Sequence, residues 1–143
     1  MLDPENVPDV DDNERLSRFV LSKRHFNQET RMLKADAFLP HPHKELSVTR
    51  DKQATDGEIW SVGRGIAAER SIALNREVPL IGRGDAIAAS YRKESLKVLK
   101  DPVAGNPNHV NVAEWQSDKP KQKLVALEIA KVATFVPTPD SQA

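Results

Sequence analysis

The chain has 143 residues, no cysteine, and 21 acidic side chains against 21 basic ones. It is long enough to bury a core without staples, and it excludes disulfide scaffolds, thiolate metal sites and cysteine nucleophiles. With four Phe, two Trp and one Tyr as the whole aromatic complement, that core must rest on Leu, Ile, Val and Ala.

Charge is unevenly distributed. Residues 1–14 hold six acids (Asp3, Glu5, Asp9, Asp11, Asp12, Glu14) and no Lys or Arg, so the remainder carries a formal +6. With two prolines and no periodicity, residues 1–13 read as a disordered acidic tail, which is also able to lie over a basic surface and weaken its contact with anions. Residues 14–136 read as one globular domain, and 137–143 as a second disordered tail. The opening residues have no basic-then-apolar leader pattern, and no apolar run reaches the roughly 18 residues of a membrane span. A cytoplasmic protein without membrane contact is therefore expected.

In chain order, Leu16 to Ser22 is a strand-length apolar run, and Lys23 to Lys34 is polar with some helical character. Ala35 to Leu39 is a weak strand ended by Pro40, and Leu46-Ser47-Val48-Thr49-Arg50 alternates as a better one. Thr55-Asp56-Gly57-Glu58 forms a capping box for a helix carrying Ile59, Trp60, Gly63, Ile66 and Ala67. Residues 71–80 are irregular, with a short strand at 78–81. Gly82-Arg83-Gly84-Asp85 reads as the opening of a second helix, through Ala86 to Tyr91. Ser95 to Lys100 and His109-Val110-Asn111-Val112-Ala113 alternate as strands around a Pro/Gly loop. Ser117-Asp118-Lys119-Pro120 starts a last helix whose apolar face runs from Leu124 to Ala133. The pattern predicts an α+β fold, a small and mostly antiparallel sheet packed against two or three helices.

His109 and Asn111 are the sharpest candidates for chemistry. On a strand they share one face while Val110 and Val112 take the other. Side by side, an imidazole and a carboxamide can bind a polar ligand or move a proton; His109 can equally be a hydrogen-bonded structural residue. Arg50 is the candidate anion clamp for such a site. Trp115, Lys119 and Lys123 follow His109 closely and suggest a ligand- or anion-binding corner at the last helix, and Arg83 a second at Gly82–Asp85. His41-Pro42-His43 is too little for zinc, and neither metal nor cofactor is expected. The two Gly-Arg-Gly triplets match neither a dinucleotide nor a phosphate loop, and no hydrolase elbow or metalloprotease helix occurs.

Leu16-Ser17-Arg18-Phe19, Leu46 to Arg50, Ile59-Trp60, Gly82 to Asp85 and His109 to Val112 with Trp115 together resemble a group of short bacterial proteins that has no assigned biochemical function. The resemblance covers about 16–130. It implies a bacterial or phage-borne cytoplasmic protein and carries over no catalytic residue.

Three functions follow as expectations. The first is a non-catalytic interaction or accessory protein with another protein as partner, which fits the absence of a catalytic signature. The second is a small metal-independent enzyme acting on RNA or a nucleotide through His109. The third is a nucleic-acid-binding module using Arg92, Lys93, Lys97, Lys100, Lys119, Lys121 and Lys123.

Overall fold

Six segments pair into a single antiparallel sheet in the computed structural model, which describes residues 1–40 and 45–139. They are β1 (Arg15–Val20), β2 (Leu46–Arg50), β3 (Gly82–Ile87), β4 (Lys97–Lys100), β5 (His109–Ala113) and β6 (Thr134–Pro137). The spatial order is β4-β5-β2-β1-β3-β6. Three helices, α1 (Asp56–Leu74), α2 (Ala88–Lys93) and α3 (Lys119–Val132), complete the expected α+β fold. Among the described residues no helix is long and apolar enough to cross a membrane.

Cross-strand partners share a face, so the register divides the sheet into two surfaces. Leu16 and Val20 of β1, Leu46 and Val48 of β2, and Val110 and Val112 of β5 make the core face. Against it pack Ala126, Ile129 and Ala130 of α3, Tyr91 of α2, and a 3-10 turn at Ala35–Phe38. Ser17 and Phe19 of β1, paired with Asp85 and Arg83 of β3, make the other face. There Trp60 of α1 stacks on the Arg83 guanidinium at 4.6 Å.

The capping box forms as expected: Glu58 N donates to Thr55 Oγ1 at 3.1 Å, and Thr55 N to Glu58 Oε1 at 3.0 Å. An ionic network then fixes the start of α1 to the sheet. Arg83 Nε donates to Asp85 Oδ2 (3.1 Å) and Ser17 Oγ to Asp85 Oδ1 (2.7 Å). Asp56 accepts from Arg15 at 3.0 Å and from Arg83 at 3.3 Å. The Arg15 hydrogen bond, then the Arg83 charge, hold the Asp56 carboxyl below its usual range.

Several local expectations change. Gly82–Ile87 is a central strand, not a helix start; the helix begins only at Ala88. Added Cβ atoms at Gly82 and Gly84 would fall 2.7 Å from the Phe135 ring and 2.9 Å from Leu33 and Phe38, so neighbouring side chains fill that face of β3. Ala35–Phe38 is a 3-10 turn, not a strand, and α1 runs on to Leu74 before Asn75 ends it in the left-handed region. The expected strand at 78–81 lies outside the sheet, though Ile81 N donates to Val20 O at 2.9 Å. Thr134–Pro137, of which the sequence assigns 134–136 to no element and Pro137 to the tail, pairs with β3 as an edge strand. Thr138 Oγ1 bonds Leu80 O at 2.8 Å, and residues 140–143 lie outside the described residues.

The acidic segment, expected as a free tail, is docked onto the body. Leu2 and Val10 are buried, and Leu2 N donates to Asn108 Oδ1 at 2.9 Å. Glu14 accepts from Arg50 Nε (2.6 Å) and Nη2 (2.8 Å) out of water's reach.

Two glycines of α1 are expected to respond oppositely to alanine. A Cβ on Gly63 would stand 2.7 Å from the buried Phe19 ring, whereas one on Gly65 meets nothing within 4 Å. Gly65→Ala should stabilise by about 0.5–1 kcal/mol through helix propensity. Gly63→Ala should destabilise by about 1–3 kcal/mol through overpacking. Urea unfolding of both variants checks the pair, and equal responses would contradict this packing of α1.

The chain's single tyrosine supplies an optical test. Tyr91 is fully buried beside Arg18, its hydroxyl has no partner, and burial raises the phenol well above its ordinary 10.0. The folded state thus holds a proton that the unfolded chain releases above about pH 10, so stability falls as pH rises past that value. Tyrosinate absorbance should appear together with unfolding in an alkaline titration. Ionisation near pH 10 with native circular dichroism would refute the burial.

Candidate functional site

A cleft of about 760 Å³ lies on the α1 side of the sheet. Phe19, Ser47 and Thr49 form its floor. Ser61, Val62, Gly65 and Ile66 of α1 make one wall, and the β4–β5 connection from Val103 to Asn106, with His109, makes the other. Its size lies within the roughly 300–1,000 Å³ of ligand pockets.

The second wall is built by a hairpin. Asp101 N bonds His109 O at 3.0 Å, and Val103 and Asn106 exchange backbone bonds at 3.1 and 3.0 Å. Gly105 between them adopts φ +80°, a left-handed turn position that suits glycine. Asn106 Nδ2 reaches across to Thr49 Oγ1 at 3.2 Å, tying the loop to the floor. Asn108, fully buried, donates to the carbonyls of Arg50 and Lys52, each at 2.8 Å.

His109 and Asn111 do share a face, and one residue organises them. Asn111 Nδ2 donates to Asp101 Oδ2 at 2.9 Å. His109 Nδ1 lies 2.9 Å from Asp101 O and 3.1 Å from Asp101 Oδ2. Both of those atoms can only accept, so Nδ1 carries the hydrogen. In the neutral ring Nε2 is then the unprotonated nitrogen, and it makes no hydrogen bond among the described residues. The result is an oriented imidazole with its basic nitrogen uncommitted, able to accept a hydrogen bond or a proton.

The other expected members stand elsewhere. Arg50 lies on the core face, pairing with Leu16, whereas His109 pairs with Thr49 on the α1 side. Its guanidinium makes four hydrogen bonds, two to Glu14 and one each to the carbonyls of Pro8 (2.6 Å) and Asp9 (2.9 Å). Arg83 is buried under Trp60 and bound to Asp85 and Asp56. Trp115 belongs to the core and gives Nε1–H to Val112 O at 3.0 Å. Lys119 and Lys123 are exposed on α3, which packs on the opposite side of the sheet. His41 and His43 lie outside the described residues, among which no three His, Asp or Glu side chains are grouped to hold a metal ion.

The basic groups are likewise engaged or separated. Arg92 pairs with Asp12 (2.6 Å), Lys100 with Asp9 (3.3 Å) and Lys97 with Glu114 (3.6 Å). Charge at the cleft itself is balanced: Glu45, Glu58 and Glu69 line it along with Arg70 and the Met1 amino group, which pairs with Glu58 at 3.2 Å. Arg18 also lines it, but its guanidinium serves the carbonyls of Ala37 and Ser47.

Asp101, Thr49 and Asn106 are the site residues missed from sequence. Asp101 was legible only as a loop acid; its role follows from closure of the hairpin eight positions before His109.

No protein-family model matches this chain, and neither a search of curated proteins nor one of solved structures returns a match.

The tautomer is a direct check on the site. In ¹⁵N-resolved spectra above the pH of imidazole protonation, His109 should carry its proton on Nδ1, and Asp101→Ala should shift the population towards Nε2–H. A predominant Nε2–H form in the wild type would remove the uncommitted acceptor.

Proposed function

We propose that this chain is a non-catalytic binding protein, an interaction or accessory module, whose partner inserts a peptide segment into the cleft beside His109. The observation that carries the reading is the fixed orientation of His109, with Nδ1 held by Asp101 and Nε2 left open at a cleft of ligand size. A backbone amide or hydroxyl of the partner would donate to Nε2. Apolar groups would lie along Phe19, Val62 and Ile66. A bacterial or phage-borne cytoplasmic setting rests on the sequence resemblance.

The enzyme reading keeps one favourable feature, since a carboxylate-oriented imidazole is also the arrangement of a general base. Against an RNA or nucleotide substrate, Arg50 and Arg83 do not reach the cleft, and of the cations that line it Arg18 is held by the carbonyls of Ala37 and Ser47 and the Met1 amino group by Glu58. A nucleic-acid-binding role through residues 92–100 is disfavoured by the acidic partners of Arg92, Lys97 and Lys100.

The reading is tested by titrating ¹⁵N-labelled protein with a library of short peptides. Binders should shift the amides of Thr49, Gly65, Asn106 and His109 and leave those of α3 unmoved. His109→Ala should weaken them about tenfold, the value of one buried hydrogen bond to an uncommitted acceptor. Binders that map only to other surfaces, or that ignore His109→Ala, would defeat it. Turnover of RNA or a nucleotide that disappears in His109→Ala would favour the enzyme instead.

A further inference from the structure

Residues 7–10 lie against the body in the manner of a bound peptide, on a surface separate from the cleft, and a turn closed by Glu14 N donating to Asp11 O at 3.1 Å leads from them into β1. Val10 is inserted into the core at 5% exposure. Four cations of the body bind the segment's main-chain carbonyls, its carboxylates, or both. Arg50 donates to Pro8 O and Asp9 O and holds both oxygens of Glu14. Arg92 donates to Val10 O and to Asp12 Oδ1, each at 2.6 Å. Lys100 donates to Val7 O at 2.9 Å and pairs with Asp9, while Lys52 stands 3.7 Å from Asp11. From the body's own main chain, Ala89 N donates to Asp12 O and Ala88 N to Glu14 O, each at 2.9 Å.

This set of contacts discriminates between kinds of anion. A surface built for phosphates presents cations to a repeating charge and has no use for a socket that buries a valine. Here cations reach four successive carbonyls, amides of the body pair with the segment's backbone, and an apolar pocket takes one side chain. Backbone bonding with a side-chain pocket is how extended peptides are recognised.

We propose that this groove is a recognition site for acidic peptide segments of a partner protein, occupied in cis by the chain's own residues 7–14. The cis segment acts as a competitor. Being tethered, it is present at an effective concentration of roughly millimolar, so a partner segment binds well only when the cis contacts are loosened. Asp9, Asp11 and Asp12 are 94%, 68% and 74% exposed, so their charges can be removed without opening the core.

The test uses the full chain in four forms: wild type, Asp9→Asn/Asp11→Asn/Asp12→Asn, that triple variant with Arg92→Glu/Lys100→Glu added, and Val10→Asp. The probe is a fluorescent synthetic peptide with the sequence of residues 5–14, read by anisotropy at low salt, with heparin as a parallel probe. Amide exchange reports how far residues 7–12 have loosened. The triple variant should bind the peptide at least roughly tenfold more tightly than wild type, and the added charge reversals should abolish the gain. Val10→Asp, which withdraws the apolar anchor, serves where exchange shows the triple variant's segment still docked. Failure of both loosened forms to bind the peptide overturns the proposal. Binding of heparin without the peptide also overturns it, since the surface would then be a general polyanion patch. Neither outcome bears on the His109 cleft.

Discussion

A guanidinium with no exposure to water must have its donors met inside the protein, and Arg50 imposes that demand on the rest of this fold. It sits at the end of β2 with no solvent-accessible surface, and its partners all come from residues 8–14. Leaving it unpaired would cost about 3–5 kcal/mol, comparable with much of a domain's net stability. The acidic segment, or a segment that takes its place on the same groups, is therefore required by the folded structure. The same residue organises the far side through its main chain: Arg50 N donates to Asn108 O, and Arg50 O accepts from Asn108 Nδ2. Asn108 precedes His109 and also receives Leu2 N. One buried charge thus ties the acidic segment, the middle of the sheet and the root of the cleft wall together.

The two faces of the sheet are stabilised differently, and this explains which parts were readable from sequence. Strands β2 and β5 alternate apolar with polar residues because one side meets the core and the other the cleft, so period-2 reasoning located both. The capping box at Thr55 and the Pro-containing start of α3 are local signals needing no tertiary information. Strand β3 lacks the apolar half of the pattern. On the core side its residues at 82 and 84 are glycines, with the space filled by Phe135, Phe38 and Leu33 from distant segments. On the other side Arg83 and Asp85 pair with each other and with Asp56 and Ser17. The alternation exists as small against charged, and without tertiary partners it imitates a helix cap.

The acidic segment was misread for a related reason. Composition alone gives a proline-containing acidic stretch a disordered appearance. What orders it is a set of contacts spread over the body, from Arg50 and Lys52 to Arg92 and Lys100, which no local window contains. The candidate site was half legible on the same grounds. His109 and Asn111 were placed on one face by strand periodicity, but Asp101 enters only through hairpin closure. Arg50 was offered as the anion clamp of that site, but it lies on the Leu46 and Val48 side of β2, where residues 8–14 hold it.

Strand register is where these constraints meet. Thr49 faces the cleft and Arg50 the interior, one residue apart on β2. A slip of one position would exchange them. Arg50 would then enter the cleft, leaving Glu14 buried without its cation, while a threonine hydroxyl faced the core beside Leu16. His109 would lose its place beside Thr49, and Asn106 its anchor. The buried ion pair, weak evidence for net stability by itself, acts here through specificity: it makes the neighbouring register expensive. The hairpin that orients His109 consequently has one available seat on the sheet.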